Sequence, residues 1–102
     1  MRTVVVIPAR YGSSRYPGKP LAPLLGKPMI IWVAELCAQA VGVENVFIAT
    51  EDQRIADVVL AANFTPIMTS VNALTGTDRL AEASRKIDAD IFINVQGDEP
   101  LV

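Results

Sequence analysis

Near the amino terminus, Thr3-Val4-Val5-Val6-Ile7 shows almost no polar alternation and is β-branched throughout. A strand that is apolar on both sides is one buried in a parallel sheet with helices on its two faces, so a strand is expected over residues 3–8. The period then changes. Ile30, Val33, Ala34, Cys37 and Val41 recur at three- and four-residue spacings while Glu35 and Gln39 fall off that stripe. This predicts a helix that starts from a turn at Gly26-Lys27-Pro28 and runs to about Val41, with Gly42 in the C-cap position. A second strand is expected over 45–50 and a second helix over 52–62, with Ile55, Val58, Val59 and Ala62 as its apolar stripe. A weaker strand follows at 65–68 and a polar loop at 69–76. A third helix is capped by Thr77 and turns Leu80, Ala83, Ser84 and Ile87 inward. Residues 90–95 read as a fourth buried strand. No internal repeat or low-complexity segment breaks this βαβαβαβ order.

Strands alternating with amphipathic helices imply right-handed crossovers and an α/β fold, here a Rossmann-like parallel sheet of order 3-2-1-4 with helices on both faces. In that order the first and fourth strands are neighbours at a topological switch point, and ligands in such sheets bind beyond the carboxyl ends of the strands. The loop that begins at Arg10 and the segment Gln96-Gly97-Asp98-Glu99 therefore open onto one crevice. The chain ends soon after Asp98 with nothing to cover the fourth strand. The expectation is a fragment, residues 1–102 forming the N-terminal nucleotide-binding part of a larger domain.

Composition narrows the function classes. The 102 residues are 51% apolar, enough for the core of one small domain. Net charge is −2 and the cations cluster in one loop, so a nucleic-acid footprint is not expected. The single cysteine, Cys37, cannot form an internal disulfide and sits in an apolar helical pattern, which reads as a buried structural thiol in a reducing cytoplasm. The longest apolar run, 29–34, is far too short to span a bilayer, and no signal-peptide pattern opens the chain. There is no histidine, which removes imidazole as a general base and leaves oxygen ligands for any metal.

Three groups of residues carry candidate chemistry. Arg10, Arg15 and Lys19, with Ser13 and Ser14, follow the first strand directly. A triphosphate carries about four negative charges, and guanidinium forks and an ammonium bind it through charge-assisted bonds. Gly12 and Gly18 let the backbone approach phosphate. A merely solvated basic loop is the simpler alternative, but cations set among Gly, Ser and Pro at a strand's carboxyl end are costly to hold without a ligand. Neither Gly-x-Gly-x-x-Gly nor Gly-x-x-x-x-Gly-Lys-Ser/Thr is present. Asp98 alone would read as a turn or cap residue before Pro100. Its expected closeness to the basic loop makes it a candidate magnesium ligand, with Glu99 as its neighbour. Thr75-Gly76-Thr77-Asp78-Arg79 reads from local sequence as a helix start, and Trp32 as packing.

These residues together resemble the N-terminal part of the 3-deoxy-manno-octulosonate (KDO) cytidylyltransferases, the CMP-sugar-acid synthetases. Ile7-Pro8-Ala9-Arg10-Tyr11-Gly12-Ser13-Ser14-Arg15 with Pro17-Gly18-Lys19-Pro20-Leu21, Gly26-Lys27-Pro28-Met29-Ile30, Gly76-Thr77-Asp78-Arg79-Leu80 and Asn94-Val95-Gln96-Gly97-Asp98-Glu99-Pro100 fall in that family's order and spacing. The resemblance implies transfer of CMP from CTP to a 3-deoxy-2-keto sugar acid with release of pyrophosphate, using magnesium, for lipopolysaccharide synthesis. It implies that Ala9, Arg10, Ser13, Arg15 and Lys19 hold the nucleotide's phosphate side, that Gly76, Thr77, Asp78, Arg79 and Gln96 line the cytidine side, and that Asp98 binds the metal. Arg10, Lys19 and Asp98 would carry the catalysis. Full-length members are expected to be homodimers, and the fragment to bind nucleotide without turning it over. Tyr16 replaces a leucine, and Asn72-Ala73-Leu74-Thr75 stands where many members have Asp-His before Ser-Gly-Thr; this second departure removes an acid and an imidazole, which suggests a variant acceptor such as an 8-amino octulosonate. A nucleotidyltransferase for another nucleotide and acceptor, or a non-catalytic nucleotide- or partner-binding fragment, are the competing readings.

Overall fold

Residues 3–9 form strand β1 (Thr3–Ala9), and every residue of it from Val4 onward is buried. In the computed structural model, which describes residues 1–11, 21–70 and 81–95, the chain continues through a small hairpin, β2 (Pro23–Leu24) and β3 (Lys27–Pro28), into helix α1 (Met29–Val41). A single 3₁₀ turn (Val43–Asn45) leads to β4 (Val46–Thr50), then α2 (Gln53–Ala61) and β5 (Thr65–Met68). Residues 81–84 are helical and β6 (Ile91–Asn94) follows. β5, β4, β1 and β6 lie side by side in that order, all parallel; counted along the chain these are the third, second, first and fourth strands of the sheet.

The two faces of β1 explain its unbroken apolar run. Successive side chains of a strand point to opposite faces. Val5, Ile7 and Ala9 join one core with Ile30, Val33, Ala34 and Cys37 of α1, Val46 and Ile48 of β4, and Ile55 and Val59 of α2. Val4 and Val6 join a second core with Ala49, Ala83 and Ile87. Thus α1 and α2 cover one face and the segment 81–87 the other. Each fully buried Ile or Val, such as Ile7 and Ile48, contributes about 1.5–3 kcal/mol through its removal from water. The crossover changes face between β5 and β6, so the switch point lies between β1 and β6.

Several details depart from the periodicity. Ile31 and Ala56 are buried as well, while Val41, Val58 and Ala62 are only partly so, because the helices lie against a twisted sheet whose contact band is wider than one stripe. Ser84 is not a core residue; its hydroxyl donates to the Ala81 carbonyl at 2.8 Å. The fourth strand is not buried. Ile91 and Ile93 are each 42% exposed and Asn94 is exposed, since β6 is the last strand of the described sheet and α1 does not reach across it. Thr77, the expected cap of the third helix, and the residues up to Leu80 lie outside the described residues, and the helix ends at residue 84, so Ile87 reaches the core from the turn that follows.

At the amino ends of the strands a cation is used structurally. The Arg2 guanidinium donates to Asn45 Oδ1 (3.0 Å), to the Asp88 carbonyl (2.9 Å) and to the Glu44 carbonyl (3.3 Å), tying the starts of β1, β4 and β6. The Arg2 backbone N–H donates to Asp90 Oδ2 at 2.7 Å.

Candidate functional site

The carboxyl ends of the strands form the opposite edge, and the candidate segments all leave from it. β1 ends at Ala9, which is buried and paired with Thr50 of β4, and delivers Arg10 to an exposed position. Tyr11 and Leu21 then pack against the same core, so both ends of the intervening basic segment are anchored on one apolar surface. β5 ends at Met68. Beyond it the Thr69 N–H donates to the Thr50 carbonyl at 2.9 Å and the Ser70 N–H donates to the Glu82 carboxylate. Lys86 Nζ donates to the Met68 carbonyl at 2.6 Å. Ser70 and Glu82 flank residues 71–80, so that segment too begins and ends at tied points. β6 pairs with β1 only as far as Val6↔Asn94, and the Val95 N–H donates to the Val6 carbonyl at 3.2 Å. The chain therefore enters residues 96–102 directly beside the last residues of β1.

Of the residues expected to bind nucleotide or metal, Ala9 and Arg10 are described, and both stand at the switch point. Ser13, Arg15, Lys19, Gly76, Thr77, Asp78, Arg79, Gln96 and Asp98 lie outside the described residues. Among the described residues, no group of three or more His, Cys, Asp or Glu side chains is placed to hold a metal ion. Asp98 and Glu99 are hard oxygen donors in a chain without histidine, a donor set that suits magnesium.

A cluster that periodicity does not reveal stands next to Arg10. Asp52 caps α2, its Oδ1 accepting from the Arg54 N–H at 2.8 Å. The same carboxylate accepts from Arg54 Nε at 3.0 Å and Nη2 at 2.7 Å, a two-pronged pair. The guanidinium lies on the Tyr11 ring, its Cζ 3.4 Å from the centroid. These bonds hold the Asp52 carboxyl below the usual carboxylate range and push the Arg54 guanidinium up, with Tyr11 and Glu51 adding attraction on Arg54. The signal available in the sequence was an Asp two residues before an Arg at the carboxyl end of a strand, which links to Tyr11 only through the tertiary fold. Cys37, by contrast, is buried as expected, and burial pushes its thiol pKa up, away from the reactive range. Trp32 is half-buried, donates from Nε1 to the Leu24 carbonyl at 2.6 Å and carries Lys27 Nζ 4.2 Å above its ring, which is packing against the hairpin.

Comparison with known proteins agrees with this arrangement. A family model described as cytidylyltransferase matches residues 4–102. The 3-deoxy-manno-octulosonate cytidylyltransferase of Trichlorobacter lovleyi is 57% identical over 102 residues, covering 100% of this chain and 40% of the relative. The Escherichia coli protein of the same name is 52% identical, covering 99% of this chain and 41% of the relative. An 8-amino-3,8-dideoxy-manno-octulosonate cytidylyltransferase from a Shewanella species is 50% identical, covering 100% and 43%. The solved structure of CMP:2-keto-3-deoxy-manno-octonic acid synthetase complexed with CTP superposes with a TM-score of 0.93 at 51% identity, over 100% of this chain and 42% of that one. A cytidylyltransferase from Leptospira borgpetersenii superposes with a TM-score of 0.79 at 26% identity, over 96% and 42%. The chain thus spans about two fifths of the length of these relatives. With Arg10 at the switch point of a parallel sheet and a family match across residues 4–102, the chain belongs to the cytidylyltransferase family.

Proposed function

We propose that the protein carrying this chain transfers CMP from CTP to an eight-carbon 3-deoxy-2-keto sugar acid, the plain octulosonate or its 8-amino variant, releasing pyrophosphate. The observation that supports this most is the adjacency of the β1 and β6 carboxyl ends, which brings Arg10 and the start of the segment bearing Asp98 to one crevice. Arg10, Ser13, Arg15 and Lys19 hold the triphosphate, while Gly76, Thr77, Asp78, Arg79 and Gln96 line the cytidine side. Asp98 holds magnesium, which neutralises phosphate charge when bound. The anomeric hydroxyl of the sugar acid attacks the α-phosphorus in line and pyrophosphate leaves. Such a reaction asks the protein mainly for positioning and charge stabilisation, so a chain without histidine is suited to it. In the same reading the protein acts in the cytoplasm as a homodimer, its product enters lipopolysaccharide, and residues 1–102 by themselves bind nucleotide without turnover.

Calorimetric titration with CTP and magnesium tests it. Bonds to charged groups contribute about 1.5–3 kcal/mol each, so Lys19→Ala is expected to weaken CTP binding roughly tenfold or more. Equal affinity of the variant and the unaltered protein, or binding of UTP and GTP as tight as CTP, would remove the assignment.

A further inference from the structure

We infer that Arg54 is a positioning residue for the phosphate-binding segment: clamped by Asp52 and laid flat on Tyr11, it fixes the point from which that segment leaves β1. The inference rests on the CTP reading for its consequence, but its geometry stands by itself. An exposed Asp–Arg pair at a helix start is ordinarily incidental, because ordering a long side chain costs entropy that a solvated ion pair barely offsets. Here the guanidinium uses both of its recognition surfaces at once. Its edge donates twice to Asp52, at 3.0 and 2.7 Å, and its flat face covers the Tyr11 ring at 3.4 Å. Asp52 is itself fixed, since its Oδ1 also caps α2 and its backbone N–H donates to Thr50 Oγ1 at 3.2 Å.

Tyr11 is thereby held from two sides, by the apolar core beneath it and by Arg54 above. It is the residue after Arg10 and the last before the stretch that bears Ser13, Arg15 and Lys19. Phosphate recognition by forked donors is steep in geometry, so a shift of about an ångström at this anchor is felt as lost affinity. No bond from Arg54 to the nucleotide is needed.

The test uses the protein as its gene encodes it, with Arg54→Ala, Arg54→Lys, Tyr11→Phe, Tyr11→Ala and the Arg54→Ala/Tyr11→Ala double variant. Amide exchange at Arg10 and Tyr11 is expected to speed up in Arg54→Ala while α1 and β4 are unchanged. The Kd for CTP is expected to rise about three- to tenfold, in line with an indirect contact. Tyr11→Phe keeps the ring and is expected to bind as the unaltered protein does. Lysine keeps a charge that can sit over a ring or pair with Asp52 but lacks the planar fork that does both at once, so Arg54→Lys is expected to recover only part of the loss seen in Arg54→Ala. The double variant is expected to be no weaker than the worse single one. Unchanged exchange at Arg10 and Tyr11, a Lys variant that binds CTP normally, or losses that add in the double variant would each overturn the inference. If exchange responds as expected but the unaltered protein binds no CTP, the clamp stands and the nucleotide reading falls.

Discussion

The carboxylate of Asp52 serves a helix cap and an ion pair at the same time, and these two roles respond differently to substitution. Asparagine caps helices nearly as well as aspartate, so Asp52→Asn removes the charge and keeps the cap. Because Arg54 holds the folded-state pKa of Asp52 down, the ionised group contributes stability that is fully present above the ordinary carboxylate value of about 3.9 and is lost as the pH falls through the depressed folded value. Urea unfolding of the unaltered protein and of Asp52→Asn is therefore expected to differ at pH 7 and to converge in strong acid. A gap that persists at pH 2, or none at pH 7, would show that the pair is not what shifts this group. At this scale much was legible. Cys37 is buried where its spacing placed it, and Arg10 emerges where the strand ended. The stack of Arg54 on Tyr11 was not legible, because it joins the ends of two strands that only the sheet brings together.

Elements with a clear period were the most readable. α1 and α2 follow their apolar stripes, β1 follows a run of β-branched residues, and β4 is a short, mostly apolar stretch between turn signals. The β2–β3 hairpin shows in the sequence only as a turn, since strands of two residues have no period to detect and each contains a proline. Its geometry has a consequence for stability. Leu24 pairs with Lys27, leaving Leu25 and Gly26 as a two-residue loop with φ of 54° and 83°. Positive φ at both central positions is the pattern of a type I′ turn, where Asn-Gly is strongly preferred and a leucine is held against its sterics. Leu25 is 90% exposed, so its side chain offers little burial in return. Leu25→Asn is expected to raise unfolding stability by ~0.5–1 kcal/mol, read from denaturant midpoints at unchanged slope. A loss of stability would mean that the leucine makes a contact that outweighs its backbone strain.

For the molecule as far as its described residues go, the sheet is unevenly covered, and the less covered strand, β6, adjoins the strand that leads to Arg10. β1 and β4 are enclosed by helices on one face and by residues 81–87 with their neighbours on the other. Among the described residues β6 has a partner on one edge only, and pairs Ile91 with Thr3 and Ile93 with Val5, so both isoleucines lie on the α1 face but beyond the helix. The run Ile91-Phe92-Ile93 suggests burial on both faces, and only Phe92 comes near it, being partly buried against the second core. Periodicity reports what a strand is suited to touch, and the touching element must also be present. An open strand edge flanked by two half-exposed isoleucines is a template for pairing with another chain. A polypeptide of residues 1–102 is therefore expected to self-associate as its concentration rises, by light scattering after size separation. Ile93→Lys puts a charge on that face, as natural edge strands do, and is expected to hold the same polypeptide at monomer mass. Because Ile93 pairs with Val5 and lies away from Arg10 at the end of β1, this change leaves the nucleotide side of the crevice its own chemistry. Association that continues unchanged in Ile93→Lys would assign the contact to another surface, such as one bearing the exposed Leu25 or Leu60.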